Sequence, residues 1–325
     1  MLLSVFTIAL ALAALSIEAA FSYPPRVYAA IGHPVGWIGA LIARLDGWLN
    51  ASRLSPEARK TGGVAALAII LAVSGGVTFM FADWAGHGLI GFIILAAVAS
   101  TLVAQRSLYD HVAEVALALQ TEGLPVAREK VAKIVGRDVG ELDEGAIARA
   151  AVESLAENFS DGVVAPAFYT VLFGLVGGAV YKAVNTADSM IGHKNEKYLT
   201  FGRATAAADD ILNLPASRLS AVWIVIATAL TPGANWRNAK TTVLRDAKRH
   251  RSPNAGWPEA AVAGALGYKL AGPRLYDGQL IEDASMGDGR TELTFADVRR
   301  ALLLYKKACI VQMAVLAVLL LLVIW

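Results

Sequence analysis

Long apolar runs alternate with polar stretches along this chain. Five runs, residues 2–21, 64–81, 89–104, 163–181 and 309–325, are long enough or nearly so to cross a bilayer, which takes roughly 20 helical residues. A sixth, 219–230, is too short to cross alone. No Lys or Arg precedes the apolar core of the first run, so it reads as an uncleaved anchor rather than a secretory signal. The connection 22–63 carries Arg26, Arg44, Arg53, Arg59 and Lys60 against Asp46 and Glu57, whereas 82–88 has Asp83 as its one fixed charge. The positive-inside tendency therefore puts the first connection in the cytoplasm and the second outside, and returns 105–161 to the cytoplasm. Lys306 and Lys307, just before the last run, also favour the inside. If 163–181 and 219–230 both crossed, the polar segment between them would lie outside. Because the second is short, both are expected to be re-entrant or protein-buried helices.

The remainder reads as helical. Residues 124–135 have a basic helical pattern, 136–145 form a turn-rich linker, and 235–251 read as a polar helix. Asp143 is placed to cap a helix whose apolar positions Ile147, Ala151 and Leu155 recur every four residues. Strand alternation is scarce. The expected fold is all-α: one domain over 1–325, a multi-pass integral membrane helical bundle with a cytoplasmic-facing polar region of helices and loops. That region comprises 105–161, 182–218 and 232–300. Composition agrees, since 56% of the 325 residues are hydrophobic and 17% charged, too few charges for an ordinary soluble domain. A net charge of +2 without a basic stripe gives nucleic-acid binding no support. The lone Cys309 lies in the last apolar run and reads as a small core hydrophobe.

Four polar stretches carry the candidate chemistry. In "ESLAENFSDG", Glu153 and Glu157 stand four apart on one helix face and Asp161 follows. Paired carboxylates can hold Mg²⁺, although a solvated face has the same spacing. In "YKAVNTADSMIGHKNEKYLTFGR", Asn185 and Asp188 are neighbours with Lys182 a turn earlier. Lys194, Lys197 and Arg203 lie in or beside a loop punctuated by Gly192 and Gly202, suited to anionic oxygens. A structural pair between Lys182 and Asp188 is the plainer alternative, yet ionisable groups at membrane level usually have a task. In "DDILN", Asp209, Asp210 and Asn213 can converge on a hydrated metal, or simply end a helix stopped by Pro215. In "DAKRHRSPNAGWPEAA", Lys248, Arg249 and Arg251 precede a turn, and Pro258 suits the first position of a helix whose free N–H groups could face phosphate. A basic juxtamembrane loop is the alternative, and His250 alone is as often structural. His33, His87, His111 and His193 show no metal-ligand spacing, and no nucleotide-loop, nucleophile-elbow or zinc motif occurs.

As a set, "ESLAENFSDGVVAPAFY", "YKAVNTADSMIGHKNEKYLTFGRATAAADDILNLPASRL" and "HRSPNAGWPEAAVAGALGYKLAGP", with the earlier "GHPVGWIGALIARLD", closely resemble the cobalamin-biosynthesis CobD/CbiB family of adenosylcobinamide-phosphate synthases. The resemblance runs in order from about residue 32 to 278, with 54–117 matching thinly. It implies a multi-pass enzyme of the cell (inner) membrane that joins (R)-1-aminopropan-2-ol or its O-phosphate to a propionate carboxylate of (adenosyl)cobyric acid. ATP would drive amide formation through an acyl phosphate, with Mg²⁺ shielding the phosphates. Glu153, Glu157, Asp161, Asp188, Asp209 and Asp210 would then be the available metal carboxylates. Lys182, Lys194 and Arg203 would stabilise the transferring phosphoryl group, and Glu157 or Asp188 would take the ammonium proton. Arg249, His250, Arg251 and Asn254 would hold the aminopropanol phosphate, while Asn158, Asn185, Asn195 and Asn213 would meet the corrin amides. The implied partners are the corrinoid, the amine, the lipid bilayer and later cobalamin-assembly enzymes.

Apart from the resemblance, "NTAD" and "DDILN" also suit an intramembrane Mg²⁺-dependent prenyltransferase, but that scheme has no place for "SPNAGWPEAA". A transporter or non-catalytic membrane subunit would have little need of the basic loop.

Overall fold

The computed structural model describes residues 4–21, 23–86, 88–136, 138–272, 274–276, 279–281 and 283–325. His87 and residues 2 and 3 of the first apolar run lie outside them. Among these residues the helices run α1 (Val5–Ala20), α2 (Pro25–Ile31), α3 (Pro34–Leu49), α4 (Pro56–Ala85), α5 (Leu89–Ser100), α6 (Gln105–Thr121) and α7 (Leu124–Ala132). They continue as α8 (Glu144–Phe159), α9 (Ala165–Ile191), α10 (Arg203–Ala227), α11 (Trp236–Asp246), α12 (Gly256–Leu266) and α13 (Phe295–Ile324). Four strands of two or three residues, β1 (Leu270–Ala271), β2 (Arg274–Tyr276), β3 (Gln279–Ile281) and β4 (Ser285–Met286), form two antiparallel pairs, β1 with β4 and β2 with β3. Helix takes up 77% of the structure, as the scarcity of strand alternation predicts.

Contacts divide the chain into two compact units. One comprises residues 1–104, 165–213 and 316–325, the other 105–164 and 214–315. In the first, α9 packs against α1, α3, α4 and α5. Its upper half joins Leu10, Ala14, Leu95 and Ala99 through Leu175 and Ala179. Its lower half joins Ile42, Leu45, Ala66, Ile70 and Phe201 through Ala183, Ala187 and Ile191. A kink at Phe173 and Gly174 precedes both sets of contacts; Gly174 has φ 64°, a conformation that costs a residue without Cβ little. In the second unit, α12 is buried at every position but Trp257 and packs on α8, α11, β1 and β4. Its small residues permit this: a Cβ on Gly264 would stand 2.6 Å from the Asn238 carbonyl oxygen.

Among the described residues five helical stretches, 56–85, 89–121, 144–191, 203–230 and 295–324, are long and apolar enough to cross a membrane. At 30 residues, α4 is about 45 Å long, and it exposes Val73, Val77, Met80 and Trp84, a face suited to lipid rather than water. By contrast α1, at 16 residues, is shorter than a full span.

Two expectations are corrected. Residues 219–230 are not a short isolated segment, because they close a helical stretch that begins at Arg203, runs as α-helix to Ala227 and ends in a 3-10 turn at Leu230. Pro215 does not stop that helix; it lies inside it. A proline deprives the carbonyl four residues earlier, here that of Ile211, of its donor, and two neighbouring carbonyls of the same helix take side-chain donors. The Tyr169 hydroxyl donates to the Leu212 carbonyl at 2.8 Å and Arg218 Nη1 to the Leu214 carbonyl at 3.1 Å. The expected cap is present, with Asp143 Oδ1 accepting from the Ala146 N–H at 2.7 Å.

Candidate active site

Within the first unit, the end of α9 and the start of α10 carry a connected polar network. Residues 181, 185 and 188 recur at helical spacing on α9, as do 209 and 213 on α10. Asp209, 7% exposed, accepts at Oδ1 from Asn185 Nδ2 at 3.3 Å and at Oδ2 from Asn213 Nδ2 at 2.9 Å. Asn213 in turn accepts from the Tyr181 hydroxyl at 2.7 Å, and Asn185 Oδ1 accepts from Lys182 Nζ at 3.2 Å. Tyr169 stacks on Tyr181 with centroids 5.2 Å apart. Asp188 lies close enough to act electrostatically on Asp209. Its carboxylate also rests against Gly192, where a Cβ would meet Asp188 Oδ1 at 1.9 Å, so only glycine leaves that rotamer free. The structure therefore joins Lys182, Asn185, Asp209 and Asn213 directly, with Asp188 beside them.

The loop after α9 is less uniform than its string of cations implies. Lys197 pairs with Asp46 at 2.7 Å and Tyr198 donates to the same carboxylate at 3.2 Å. The Lys197 carbonyl accepts from Asn50 and Arg59. Lys197 is thus a strut to α3 and α4. Lys194 and Arg203 are exposed, and Lys194 acts electrostatically on Asp210. Asn195 Oδ1 accepts from the Tyr198 N–H at 3.1 Å and shapes the turn.

His33 acquires a role that spacing alone did not suggest. Its Nδ1 accepts from the Val35 N–H at 3.2 Å, capping α3. Burial and the nearby Lys182 charge lower its pKa below the ordinary value, so the imidazole is neutral at pH 7.

In the second unit, Glu153 is 5% exposed and accepts from the Ala271 N–H at 2.8 Å, which ties α8 to β1. Glu157 and Asn158 are exposed; Asn158 Nδ2 donates to the Ser154 carbonyl at 3.0 Å. Asp161 sits in the π-helical turn Ser160–Val164. The solvated-face reading of this helix holds for Glu157 and fails for Glu153.

The "SPNAG" turn is largely self-capped. Ser252 Oγ accepts from both the Asn254 and Ala255 N–H groups at 3.2 Å, and α12 begins at Gly256, before Pro258. The Ser252 N–H donates to His250 Nδ1 at 3.0 Å. That leaves the His250 Nε2 hydrogen facing Glu259 at 3.7 Å and Asp283 at 3.5 Å. Arg251 is exposed, its backbone N–H donating to Asp283, and Arg249 is tethered to Asp246 at 3.4 Å. Asp246 also takes a two-point bond from Arg245, which holds its pKa below the usual carboxylate range. Asn254 Oδ1 accepts from Ser217 Oγ at 3.1 Å and Arg218 Nη1 at 3.0 Å. Ser217 and Arg218 lie in the quoted run that ends "DDILNLPASRL" but are not among its candidate residues; their signal is a cation in a stretch, 214–230, with no other charge.

Among the described residues no three His, Cys, Asp or Glu side chains stand together as a metal cage. The candidate carboxylates fall into two sets, Asp188, Asp209 and Asp210 in the first unit and Glu153, Glu157 and Asp161 in the second.

The family model for CobD/Cbib proteins matches residues 11–305. A cobalamin biosynthesis protein CobD of a Sinorhizobium species is 46% identical over 318 residues, covering 94% of this chain and 96% of that protein. The CobD protein of Rhodobacter capsulatus is 45% identical over 305 residues, with 92% and 93% covered, and that of Brucella suis 43% over 285 residues, with 87% of each. No solved structure matches. On this evidence the chain belongs to the CobD/Cbib family.

Proposed function

We propose that this protein acts in cobalamin biosynthesis as an ATP-dependent acid–amine ligase of the cell (inner) membrane, crossing it several times. It joins (R)-1-aminopropan-2-ol or its O-phosphate to the propionate carboxylate of (adenosyl)cobyric acid. A carboxylate oxygen takes the γ-phosphoryl group of ATP and ADP leaves. The amine nitrogen then forms the C–N bond, phosphate departs, and the surplus ammonium proton passes to a base.

What carries the reading is Asp209, buried between Asn185 and Asn213 with Lys182 at the network's edge, in a chain of this family. A buried carboxylate given two amide donors is held in place yet keeps lone pairs on both oxygens. With Asp188 beside it, the donor set suits Mg²⁺, which takes one or two carboxylates and otherwise waters and phosphate oxygens. Asp188 and Asp209 would hold the ion, with Asp210 nearby, and when bound it would shield phosphate charge. Glu153 fits that task poorly, because its carboxylate already serves the Ala271 amide.

The other roles follow from charge and exposure. Lys182, Lys194 and Arg203 supply cations where positioning and electrostatics dominate phosphoryl transfer. Asp188 or the exposed Glu157 takes the ammonium proton. Arg249 and Arg251 offer guanidinium groups to the phosphate of the amine, while the His250 ring, facing two carboxylates, orders the loop that carries them. Asn158 and Asn195 are the exposed amides open to the corrin periphery.

The test is to incubate the purified protein with cobyric acid, aminopropanol phosphate, ATP and Mg²⁺. A ligase yields the secondary amide with one ADP per bond. ADP release without amide, or no reaction with either amine, rejects the reading.

A further inference from the structure

Arg218 sits in a stretch of α10 that is apolar enough to cross a membrane, where a cation is costly unless it has a counter-charge or a task. Its guanidinium is fastened on one side only. Nη1 donates to the Leu214 carbonyl at 3.1 Å, Ser217 Oγ at 2.9 Å and Asn254 Oδ1 at 3.0 Å. The Cζ lies 4.5 Å from the centroid of the Trp257 ring, which fixes the plane of the group. No carboxylate among the described residues pairs with it, and Nε and Nη2 make no hydrogen bond there.

Those two nitrogens form the edge with parallel N–H bonds, the edge that matches a pair of oxygens on a carboxylate or phosphate. Arg245, in the same unit, shows how that edge is used structurally. Its Nε and Nη2 grip the two oxygens of Asp246 at 2.8 and 2.7 Å. Arg218 has the same fork, held by neutral acceptors and an aromatic face, and no acid among the described residues is paired with it. We infer that Arg218, positioned by Ser217, Asn254 and Trp257, is a binding site for a paired-oxygen anion, the carboxylate or phosphate group of a substrate.

That the anion belongs to a substrate rests on the ligase reading; that the fork binds an oxyanion does not. The test uses the full-length protein in lipid nanodiscs, titrated with inorganic phosphate and separately with propionate. Wild type, Arg218→Lys and Arg218→Gln are compared by calorimetry and by the rise in Tm at saturating anion. Saturable binding of one anion by wild type, weakened at least tenfold in both variants, supports the site, and the anion that binds identifies the source. Lysine keeps the charge but not the fork, so wild-type binding by Arg218→Lys overturns the proposal. A lowered Tm with unchanged anion binding in Arg218→Gln makes the residue a structural strut and overturns it too, as does failure of both anions to bind wild type. Should Arg218→Gln not fold, Trp257→Leu, which frees the guanidinium plane, is expected to weaken binding several-fold, and no change contradicts the proposal. In turnover, the KM of the substrate bearing that group rises at least tenfold in Arg218→Lys while kcat stays within about threefold. Amide formation by wild type with anion binding indifferent to Arg218 sinks this inference and leaves the ligase standing; the reverse outcome sinks the ligase alone.

Discussion

Tyr181 donates its phenolic hydrogen to Asn213 Oδ1 at 2.7 Å, and that bond decides which end of the amide faces Asp209. With the carbonyl oxygen taken by tyrosine, Nδ2 must point to the carboxylate, where it stands 2.9 Å from Oδ2. Removing the hydroxyl therefore frees the amide to turn its oxygen toward the acid. Tyr181→Phe should lower stability by about 1 kcal/mol, the worth of one hydrogen bond, and lower kcat by roughly tenfold as the acid loses a fixed donor. Thermal unfolding and amide formation, measured on the same preparation, check the two effects.

Gly192 leaves room for the Asp188 carboxylate, and a methyl group there would stand 1.9 Å from Oδ1. Gly192→Ala should displace Asp188 and cost about 100-fold or more in kcat, while Gly192→Ala with Asp188→Ala should be no worse than Asp188→Ala alone. Equal activity of Gly192→Ala and wild type would remove Asp188 from the chemistry.

Glu153 accepts from the Ala271 N–H, and a glutamine carbonyl can accept the same bond. Glu153→Gln should keep activity and its Mg²⁺ dependence, whereas Glu153→Ala should lose about 1–3 kcal/mol of stability by leaving a buried amide unpaired. A changed Mg²⁺ requirement in Glu153→Gln would return this residue to the metal.

The strut from Lys197 to Asp46 is sensitive to acid. Burial alone would raise the Asp46 pKa, but hydrogen bonds from Lys197 and Asn50 outweigh it and hold the carboxyl below its usual range. A lowered folded-state pKa stabilises above the unfolded value of about 3.9, and the gain is lost as pH falls through the folded value. Lys197 is raised by the same contact, so its share is full below about pH 10.4. Protection of the 192–202 loop from protease should be flat from about pH 5 to 8 and fall below about pH 4, and Asp46→Asn should abolish that acid step.

Much of this was legible in the chain. The apolar runs mark the spans, Asp143 announces its helix, and "NTAD" and "DDILN" name the residues that meet. The continuity of α10 was hidden because its inward face carries Asp209, Asn213 and Ser217, which dilutes hydropathy averaged over the stretch, while Pro215 reads locally as a stop. Glu153 looked like half of a surface pair because its partner amide lies 118 residues away. Arg218 is a single letter in a greasy helix, and its meaning depends on Asn254 and Trp257 arriving from another segment.

The central claim is that the Asp209 network is where the phosphoryl group is handled, and Asp209→Asn tests it most directly. The variant keeps size and one of the two amide hydrogen bonds, turns an NH₂ toward the other donor, and loses the charge. In a single turnover with cobyric acid, aminopropanol phosphate, ATP and Mg²⁺, it should stay folded with a loss of about 1–3 kcal/mol of stability and keep corrinoid binding, yet form amide and ADP at least 100-fold more slowly. Amide and ADP appearing at the wild-type rate would contradict the account.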